Sequence, residues 1–287
     1  MFQEFLPKNL SPDAREIEDY IRKIDCLDNN RRNNMLRANE NIIRALGVGQ
    51  VDLAGMHPYA SHEVATIFLR TWTEYPQLLK SIGCCWYTDL SDLHRILISF
   101  RYPLILRSRA KENPELSREE LEKQSMEFAE MELEKEKGSY SSRYENTVAL
   151  CSDGGSKNAI IFLDGHHCDI GSYQAAVENI KIKHHPPNTL WGAGITVHEL
   201  GHAMDNMLCI RFMFEIKNLY EENLSTMTEK LSTYAAENVL EFIAEAWAEY
   251  KLSPEPRPLA KRVGSIIERR YGERFSSSRG NFWKTIG

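Results

Sequence analysis

Several features are scarce or absent in this 287-residue chain, and each absence argues against a class of protein. No run of about 18 apolar residues occurs, so no membrane-spanning helix is predicted. The formal net charge is −6, so no general affinity for nucleic acid or anionic membranes is predicted. The first 20 residues hold no basic segment followed by an apolar one, which predicts that no signal peptide is present. We therefore expect a cytoplasmic protein, and delivery into another cell or compartment stays open.

Cysteine pairs with metal-binding spacing are also lacking. Six cysteines occur at positions 26, 84, 85, 151, 168 and 209, and no two of them form a C-x-x-C pair. In a chain of this length the pattern favours mostly reduced thiols over a disulfide framework. We therefore expect a reducing compartment.

The hydrophobic pattern predicts a helix-rich α+β fold. Helical spacing covers residues 11–46 with a polar break at 28–34, and a long helix is predicted over 189–208. Strand-like segments occur at 48–57, 84–88, 144–151 and 158–163. These segments predict a small twisted mixed sheet, and the largely helical remainder predicts a helical C-terminal lobe. We divide the chain into an N-terminal helical segment 1–40, a main domain 40–275 and a tail 276–287.

Residues 90–140 are predicted to be a helical, acidic insertion in the main domain. A buried helix over 91–101 should end before Pro103, because a proline disfavours helical backbone at the residue before it. Ser117 and Glu120 have the spacing of a capping box, which predicts that the next helix starts there. The charge of residues 115–137 favours a solvated helix over an acid-binding or regulatory role.

One short motif carries metal chemistry. Residues 198–202 read His-Glu-Leu-Gly-His, an H-E-x-x-H match. On a helix, positions i and i+4 share a face, so His198 and His202 can bind one ion. Glu199 lies beside them, where it can reach a water on that ion as a general base. The alternative is a buried helix with two ordinary histidines.

Two histidines need a third protein ligand. The metzincin pattern H-E-x-x-H-x-x-G-x-x-H is excluded, because Asp205 and Leu208 stand at its last two fixed positions. A glutamate from a second helix remains. Residues 236–250 offer four at intervals of four: Glu237, Glu241, Glu245 and Glu249. An acidic face in water fits Glu249 and to some extent Glu237, whereas the apolar neighbours of Glu241 and Glu245 fit it less well. Spacing alone leaves the choice open.

A resemblance selects one of these glutamates. HELGHAMD together with STYAAENVLEFIAEAW resembles the catalytic domain of anthrax lethal factor and the related Pro-Pro endopeptidases, which are gluzincins. In their pattern a tyrosine precedes the ligand glutamate by seven residues, as Tyr234 precedes Glu241 here. The resemblance covers residues 195–205 and 232–247, and more loosely the order of helices and strands from about residue 40. It implies a zincin-like catalytic domain.

The resemblance also implies roles for these residues. His198, His202 and Glu241 would bind one zinc ion per chain, and Glu245 would orient a ligand histidine. Glu199 would take a proton from a water activated by zinc, and Tyr234 would donate its phenol to the tetrahedral oxyanion. The expected function is a zinc metalloendopeptidase with a protein or peptide substrate, and the oligomeric state is left open.

Weaker signals surround this motif. His166, His167, Cys168 and Asp169 are compatible with a second metal site, although a loop is favoured, and His184-His185 is favoured as a helix end. The strand 160–163 is either an ordinary strand or an edge along which substrate backbone binds.

Two other functions stay open. One is a non-catalytic interaction or structural protein of a mobile element or virion that keeps the zincin fold; the presence of Glu199 and Tyr234 counts against it. The other is a helical regulatory protein without metal.

Overall fold

The computed structural model describes residues 14–144, 147–153 and 157–282. Within these residues, helices surround a four-stranded mixed sheet, which confirms the α+β prediction. The helices are α1 Ala14–Asp25, α2 Asn29–Ala45, α3 Pro58–Glu74, α4 Pro76–Lys80, α5 Leu90–Glu112, α6 Arg118–Tyr144, α7 Ile170–Lys181, α8 Trp191–Leu208, α9 Phe214–Asn223, α10 Met227–Lys230, α11 Val239–Leu252 and α12 Pro258–Phe282. The strands are β1 Gln50–Asp52, β2 Ile82–Thr88, β3 Ala149–Asp153 and β4 Asn158–Leu163. None of these helices combines the length and apolar character needed to cross a membrane.

The sheet has the order β1-β2-β4-β3. Strands β1 and β4 both pair with β2 in parallel, and β3 pairs with β4 antiparallel. Strand β4 therefore has a hydrogen-bonded neighbour on each side. The prediction that residues 160–163 form a substrate-binding edge is wrong for this reason, and β3 occupies the edge instead.

The two faces of the sheet are covered by different helices. On one face, Leu93 and Leu97 of α5 pack against Cys84, Ile161 and Leu163. On the other face, the alternate strand residues join the main core, which includes side chains from α1, α3, α8 and α11. The sheet is thus buried between the α5–α6 pair and the helices that carry the candidate site.

The helical pair α5–α6 differs from its prediction at one point. Helix α5 continues through Pro103 to Glu112, so the predicted end before Pro103 is wrong. The proline is exposed, which leaves room for its ring, and α5 packs against α6. Tyr102 donates to the carbonyl of Glu122 at 3.4 Å. The predicted capping box is confirmed, with the Ser117 and Glu120 side chains each accepting from the other's backbone N–H.

Helices stand at both ends of the described residues. Ile17, Ile21 and Ile24 of α1 are buried in the main core. The predicted polar break over 28–34 is wrong, because Asp28 caps α2 and residues 29–34 form its first turns. Helix α12 runs to Phe282 and so enters the segment 276–287, while residues 1–13 and 283–287 lie outside the described residues.

Helix α8 begins at Trp191 without a side-chain cap of its own. The Glu63 carboxylate of α3 takes this role and accepts from the N–H of Ala193 at 3.3 Å. Burial raises the pKa of Glu63 from 4.5 to about 8, although the backbone N–H groups of Ala193 and Gly192 favour the ionised form. The N-terminus of α8 is therefore anchored by a titratable group.

Glu63 should make the folded protein less stable as the pH rises from about 4.5 to about 8. In this interval the native carboxyl holds a proton that the unfolded chain has released, so the free energy of unfolding falls with pH. Glu63→Gln cannot titrate but keeps an oxygen acceptor. The free energy of unfolding, measured with urea at pH 5 and pH 8.5, should change by roughly 3 kcal/mol less in the variant than in the wild type. Each pKa unit is worth about 1.4 kcal/mol, and the partial exposure of Glu63 reduces the full difference. Identical pH dependence of both proteins would contradict this role.

Candidate metal centre

The site lies where α11 crosses α8. Gly201 permits a close approach, because a Cβ at this position would lie 2.9 Å from the Cα of Ala244. Asn238 begins α11 by accepting from the N–H groups of Leu240 and Glu241 at 2.9 and 3.1 Å. This cap places Glu241 in the first turn of α11. The glutamates of α11 therefore face the histidines of α8 across a contact that a larger residue at 201 would block.

His198, His202 and Glu241 converge on one point. The Oε2 atom of Glu241 lies 3.1 Å from Nε2 of His198 and 3.4 Å from Nε2 of His202. The two Nε2 atoms are 3.1 Å apart. Ligand atoms of a tetrahedral zinc site are about 3.3 Å apart, given bonds of about 2.0–2.1 Å. Oε2 of Glu241 is also buried and makes no hydrogen bond within the described residues. These three residues could hold a metal ion.

Glu245 orients one of the three. Burial opposes its ionisation, but hydrogen bonds from His185 and His198 lower its pKa to about 2. As a carboxylate it accepts from Nδ1 of His198 at 2.8 Å and from Oγ of Ser232 at 2.8 Å. With its proton on Nδ1, His198 presents the lone pair of Nε2 to the point of convergence. This contact matches the role that the resemblance implies for Glu245.

His185 is a part of the site that the sequence analysis missed. Its Nδ1 atom donates to Oε1 of Glu245 at 3.1 Å. The sequence favoured a helix end at this position, and His185 lies 60 residues before Glu245, so no local spacing links the two. The ring of His185 also packs edge-on against Tyr234, with centroids 5.5 Å apart.

His185→Phe should weaken binding of added zinc by about 10–100-fold, the usual effect of removing a group that orients a metal ligand. The variant keeps the aromatic contact with Tyr234 but leaves one hydrogen bond of Glu245 unmade. His184→Phe is the matched control, because that ring also packs against Tyr234 at 5.4 Å, whereas the hydrogen bond to Glu245 comes from His185. Competition with a chromogenic chelator measures both affinities. Equal affinities of the two variants would refute the role of His185.

Glu199 lies beside the three converging residues. Its Oε2 atom is buried and has no hydrogen-bond partner within the described residues. Burial, and secondarily the charges of Glu241 and Glu245, raise its pKa, while His198 and His202 act in the opposite direction. A carboxylate with a raised pKa and a free oxygen is well suited to accept a proton.

Tyr234 lies beside the three converging residues His198, His202 and Glu241. It begins the 3₁₀ turn Tyr234–Ala236, and its ring stacks on His198 with centroids 5.8 Å apart. The backbone N–H groups of Thr233 and Tyr234 donate to the carbonyls of Lys183 and His184 at 2.8 and 3.2 Å. Burial raises the pKa of the Tyr234 phenol, which therefore stays protonated and able to donate at neutral pH.

These groups share one cleft with a volume of about 390 Å³. Ala149, Leu150 and Cys151 of the edge strand β3 line it together with Leu240 of α11. Arg211, just after α8, also lines it. The cleft therefore combines the candidate metal ligands with the edge strand of the sheet and one cationic side chain.

The other two glutamates of residues 236–250 lie outside this cluster. Glu237 is exposed. Glu249 is completely buried, so its expected position in water is wrong. Its carboxylate forms a two-pronged ion pair with Arg257, with Nε–Oε1 and Nη2–Oε2 distances of 2.9 and 2.6 Å. Arg257 also donates to the carbonyl of Glu229. Because Arg257, eight residues after Glu249, pairs with its carboxylate, Glu249 can be buried.

The segment 166–169 forms no metal centre. Asp169 caps α7. His167 is fully buried between Phe162 and Trp191, and burial lowers its pKa to about 3. Within the described residues, the group of His198, His202 and Glu241 is the one cluster able to hold a metal ion.

Comparison with known protein families, with curated proteins and with solved structures finds no match for this chain. The function is therefore inferred from the geometry of the site together with the motif resemblance.

Proposed function

We propose that this protein is a zinc-dependent metalloendopeptidase of gluzincin type, with a zincin-like catalytic domain. One observation carries the proposal: the candidate ligand atoms of His198, His202 and Glu241 lie within 3.4 Å of one another, next to Glu199 and Tyr234. The motif resemblance to the lethal factor catalytic domain names the same five residues. Geometry and motif thus support the same function from different grounds.

Zinc is the ion that this donor set fits best. Two imidazole nitrogens and one carboxylate oxygen are a usual zinc ligand set, and three protein ligands leave one position for water or substrate. A zinc ion bound here would lower the pKa of a coordinated water and polarise a peptide carbonyl. We propose one zinc ion per chain.

The chain's own groups would move the proton and stabilise the charge. The free carboxylate oxygen of Glu199 takes the proton of the attacking water and later passes it to the amine that leaves. The phenol of Tyr234 donates a hydrogen bond to the oxyanion that forms on the carbonyl oxygen. Glu245, held by Ser232 and His185, keeps the ring of His198 in place during these steps.

The edge strand β3 supports an extended polypeptide as substrate. It lines the cleft, and its outer side has no strand partner among the described residues. A substrate segment beside β3 would continue the sheet by main-chain hydrogen bonds, whose strength depends little on substrate sequence. This placement brings a peptide bond to the cluster of Glu199, Tyr234 and Glu241.

The test is cleavage of a peptide library by the purified chain. We expect cleavage with zinc, loss of cleavage after chelation, and recovery when zinc is added back. Bound zinc without any cleavage would favour the non-catalytic zincin-fold protein, and a chain that binds no zinc would favour the metal-free regulatory protein.

Tyr234→Phe should lower kcat and kcat/KM together by about 10²–10³-fold, with little change in KM. This is the usual cost of losing one hydrogen-bond donor that acts only in the transition state. Zinc content and the thermal midpoint should not change, because phenylalanine keeps the stacking on His198. Tyr220→Phe is the control. It removes a hydroxyl that donates to the carbonyl of Ala236, in the turn that also carries Tyr234, and Tyr220 does not line the cleft. A Tyr234→Phe variant with wild-type kcat would rule out the donor role.

A further inference from the structure

Two phenylalanines next to the cleft are unusually exposed. Phe212 and Phe214 have exposed fractions of 68% and 77%, above those of all other large apolar side chains in the described residues. Met213 between them has extended backbone and packs against the core. Phe212 ends the 3₁₀ turn Ile210–Phe212 and Phe214 begins α9, so only Met213 separates the two exposed phenylalanines in the sequence. Together they form an exposed aromatic pair.

Phe212 of this aromatic pair lies next to a residue that lines the cleft. Arg211, which immediately precedes Phe212, lines the same cleft as Glu199 and Glu241. Its guanidinium lies 5.9 Å from the ring centre of Phe212. A polypeptide that leaves the cleft past Arg211 therefore meets Phe212 and Phe214 next.

Two side chains of α8 hold the guanidinium of Arg211 in a fixed orientation. Asp205 is buried, accepts from the backbone N–H of Arg211 at 2.6 Å, and pairs with its Nε atom. Nη2 donates to the side chain of Asn206. No group in the described part of the chain bonds Nη1, and the side chain is 29% exposed. An oriented cation with a free donor binds a carboxylate at little further entropic cost.

The charges around the pair favour an acidic segment. Lys217 lies 5.9 Å from the ring centre of Phe212, on the next turn of α9. Glu215, which lies between Phe212 and Lys217 in the sequence, forms an ion pair with Arg269 at 2.6 Å. Asp205 balances the charge of Arg211 and Arg269 that of Glu215, so Lys217 supplies the net positive charge beside the aromatic pair.

We infer that Arg211, Phe212 and Phe214 form a recognition surface for a substrate segment that carries an acidic residue and apolar residues on one side of the bond to be cut. This inference rests on the proposed peptidase function and adds a substrate class to it. The carboxylate binds Arg211, and the apolar side chains cover the two rings. The surface lies outside the cluster of His198, His202 and Glu241, so it selects substrates without taking part in the reaction.

A proteome-derived peptide library, digested by the zinc-loaded full chain, tests the inference. Mass spectrometry of the products should show aspartate or glutamate, followed by apolar residues, at constant distances on one side of the cut. A synthetic peptide with these features and its Asn or Gln counterpart then serve as probes. Wild-type enzyme should prefer the acidic peptide by about tenfold in kcat/KM, the lower range for a hydrogen bond to a charged group.

Three variants separate the parts of the surface. Phe212→Ser/Phe214→Ser should raise KM for the acidic probe about tenfold with little change in kcat, because it removes binding that substrate and transition state share. Arg211→Lys retains a cation for Asp205 but should reduce the preference for the acidic probe. Trp72→Ser is the matched control, since Trp72 is 52% exposed and lies on α3 away from the cleft.

The outcomes distinguish the inference from the function on which it rests. If the wild type cuts no peptide, the proposed function fails and the inference with it. If it cuts without any acidic or apolar preference, or if the double variant matches Trp72→Ser, the inference alone is refuted. Sedimentation and vesicle co-pelleting complete the test: a dimer or an anionic-vesicle complex that the double variant abolishes would assign the pair to a second copy or to a membrane surface instead.

Discussion

Replacing Glu199 by glutamine should leave the bound metal in place and lower turnover by at least about 10²–10⁴-fold, the range typical of losing a general base. Glutamine has the same shape, so the packing of α8 is kept. It cannot accept the proton, because its oxygen is an amide carbonyl. The free and buried Oε2 atom of Glu199 is the structural reason to expect an effect of this size.

The measurement combines elemental analysis with kcat on a peptide found by library screening. Glu237→Gln is the matched control. It makes the same substitution on an exposed side chain just after the turn Tyr234–Ala236, and it should change neither the zinc content nor kcat. If Glu199→Gln retains near-normal kcat, another group must take the proton. If it loses zinc, Glu199 holds the metal rather than the proton.

Glu241→Ala should remove most of the bound zinc. Removing groups that only orient the ligands lowers metal affinity by about 10–100-fold, and loss of a ligand should exceed this range. Two imidazoles then remain, and they are too few to close a tetrahedral site. Without Glu241, activity should fall with the zinc content.

Glu237→Ala serves as the control for this prediction as well, because it lies four residues earlier on an exposed position and should keep one zinc per chain. Glu249→Ala is unsuitable, since it would leave Arg257 without its carboxylate partner and unfold part of α11 and its neighbours. A Glu241→Ala protein with full zinc content would show that another carboxylate, with Glu245 as the nearest alternative, supplies the third ligand.

Some of the site could be predicted from the sequence because local helical geometry determines it. Residues four apart on a helix share a face, so the pairing of His198 with His202 follows from their spacing alone. The capping box of Ser117 and Glu120 at the start of α6 is equally local, and it is observed. By contrast, spacing could not choose among the four glutamates that recur every four residues over 236–250. The motif resemblance selected Glu241, and in the structure this is the one that meets both histidines.

The remainder depends on contacts between distant parts of the chain. The edge position of β3 depends on an antiparallel pairing with β4 that no hydrophobic pattern specifies. The link between His185 and Glu245 spans 60 residues, and the burial of Glu249 depends on Arg257. Helix α5 continues through Pro103 against a local preference, and its packing against α6, which includes the hydrogen bond from Tyr102 to the carbonyl of Glu122, cannot be read from local spacing.

The sequence by itself determined the helix that presents His198, Glu199 and His202 and the α+β class, because periodicity and capping act over a few residues. Only the tertiary structure decided which strand borders the cleft, which carboxylate completes the cluster geometrically, and that Arg211 lies beside two exposed phenylalanines. These features depend on the close crossing of α8 and α11 at Gly201 and on pairings between segments far apart in the chain. The energies of such contacts depend on shape and burial, which residue spacing along the chain does not contain.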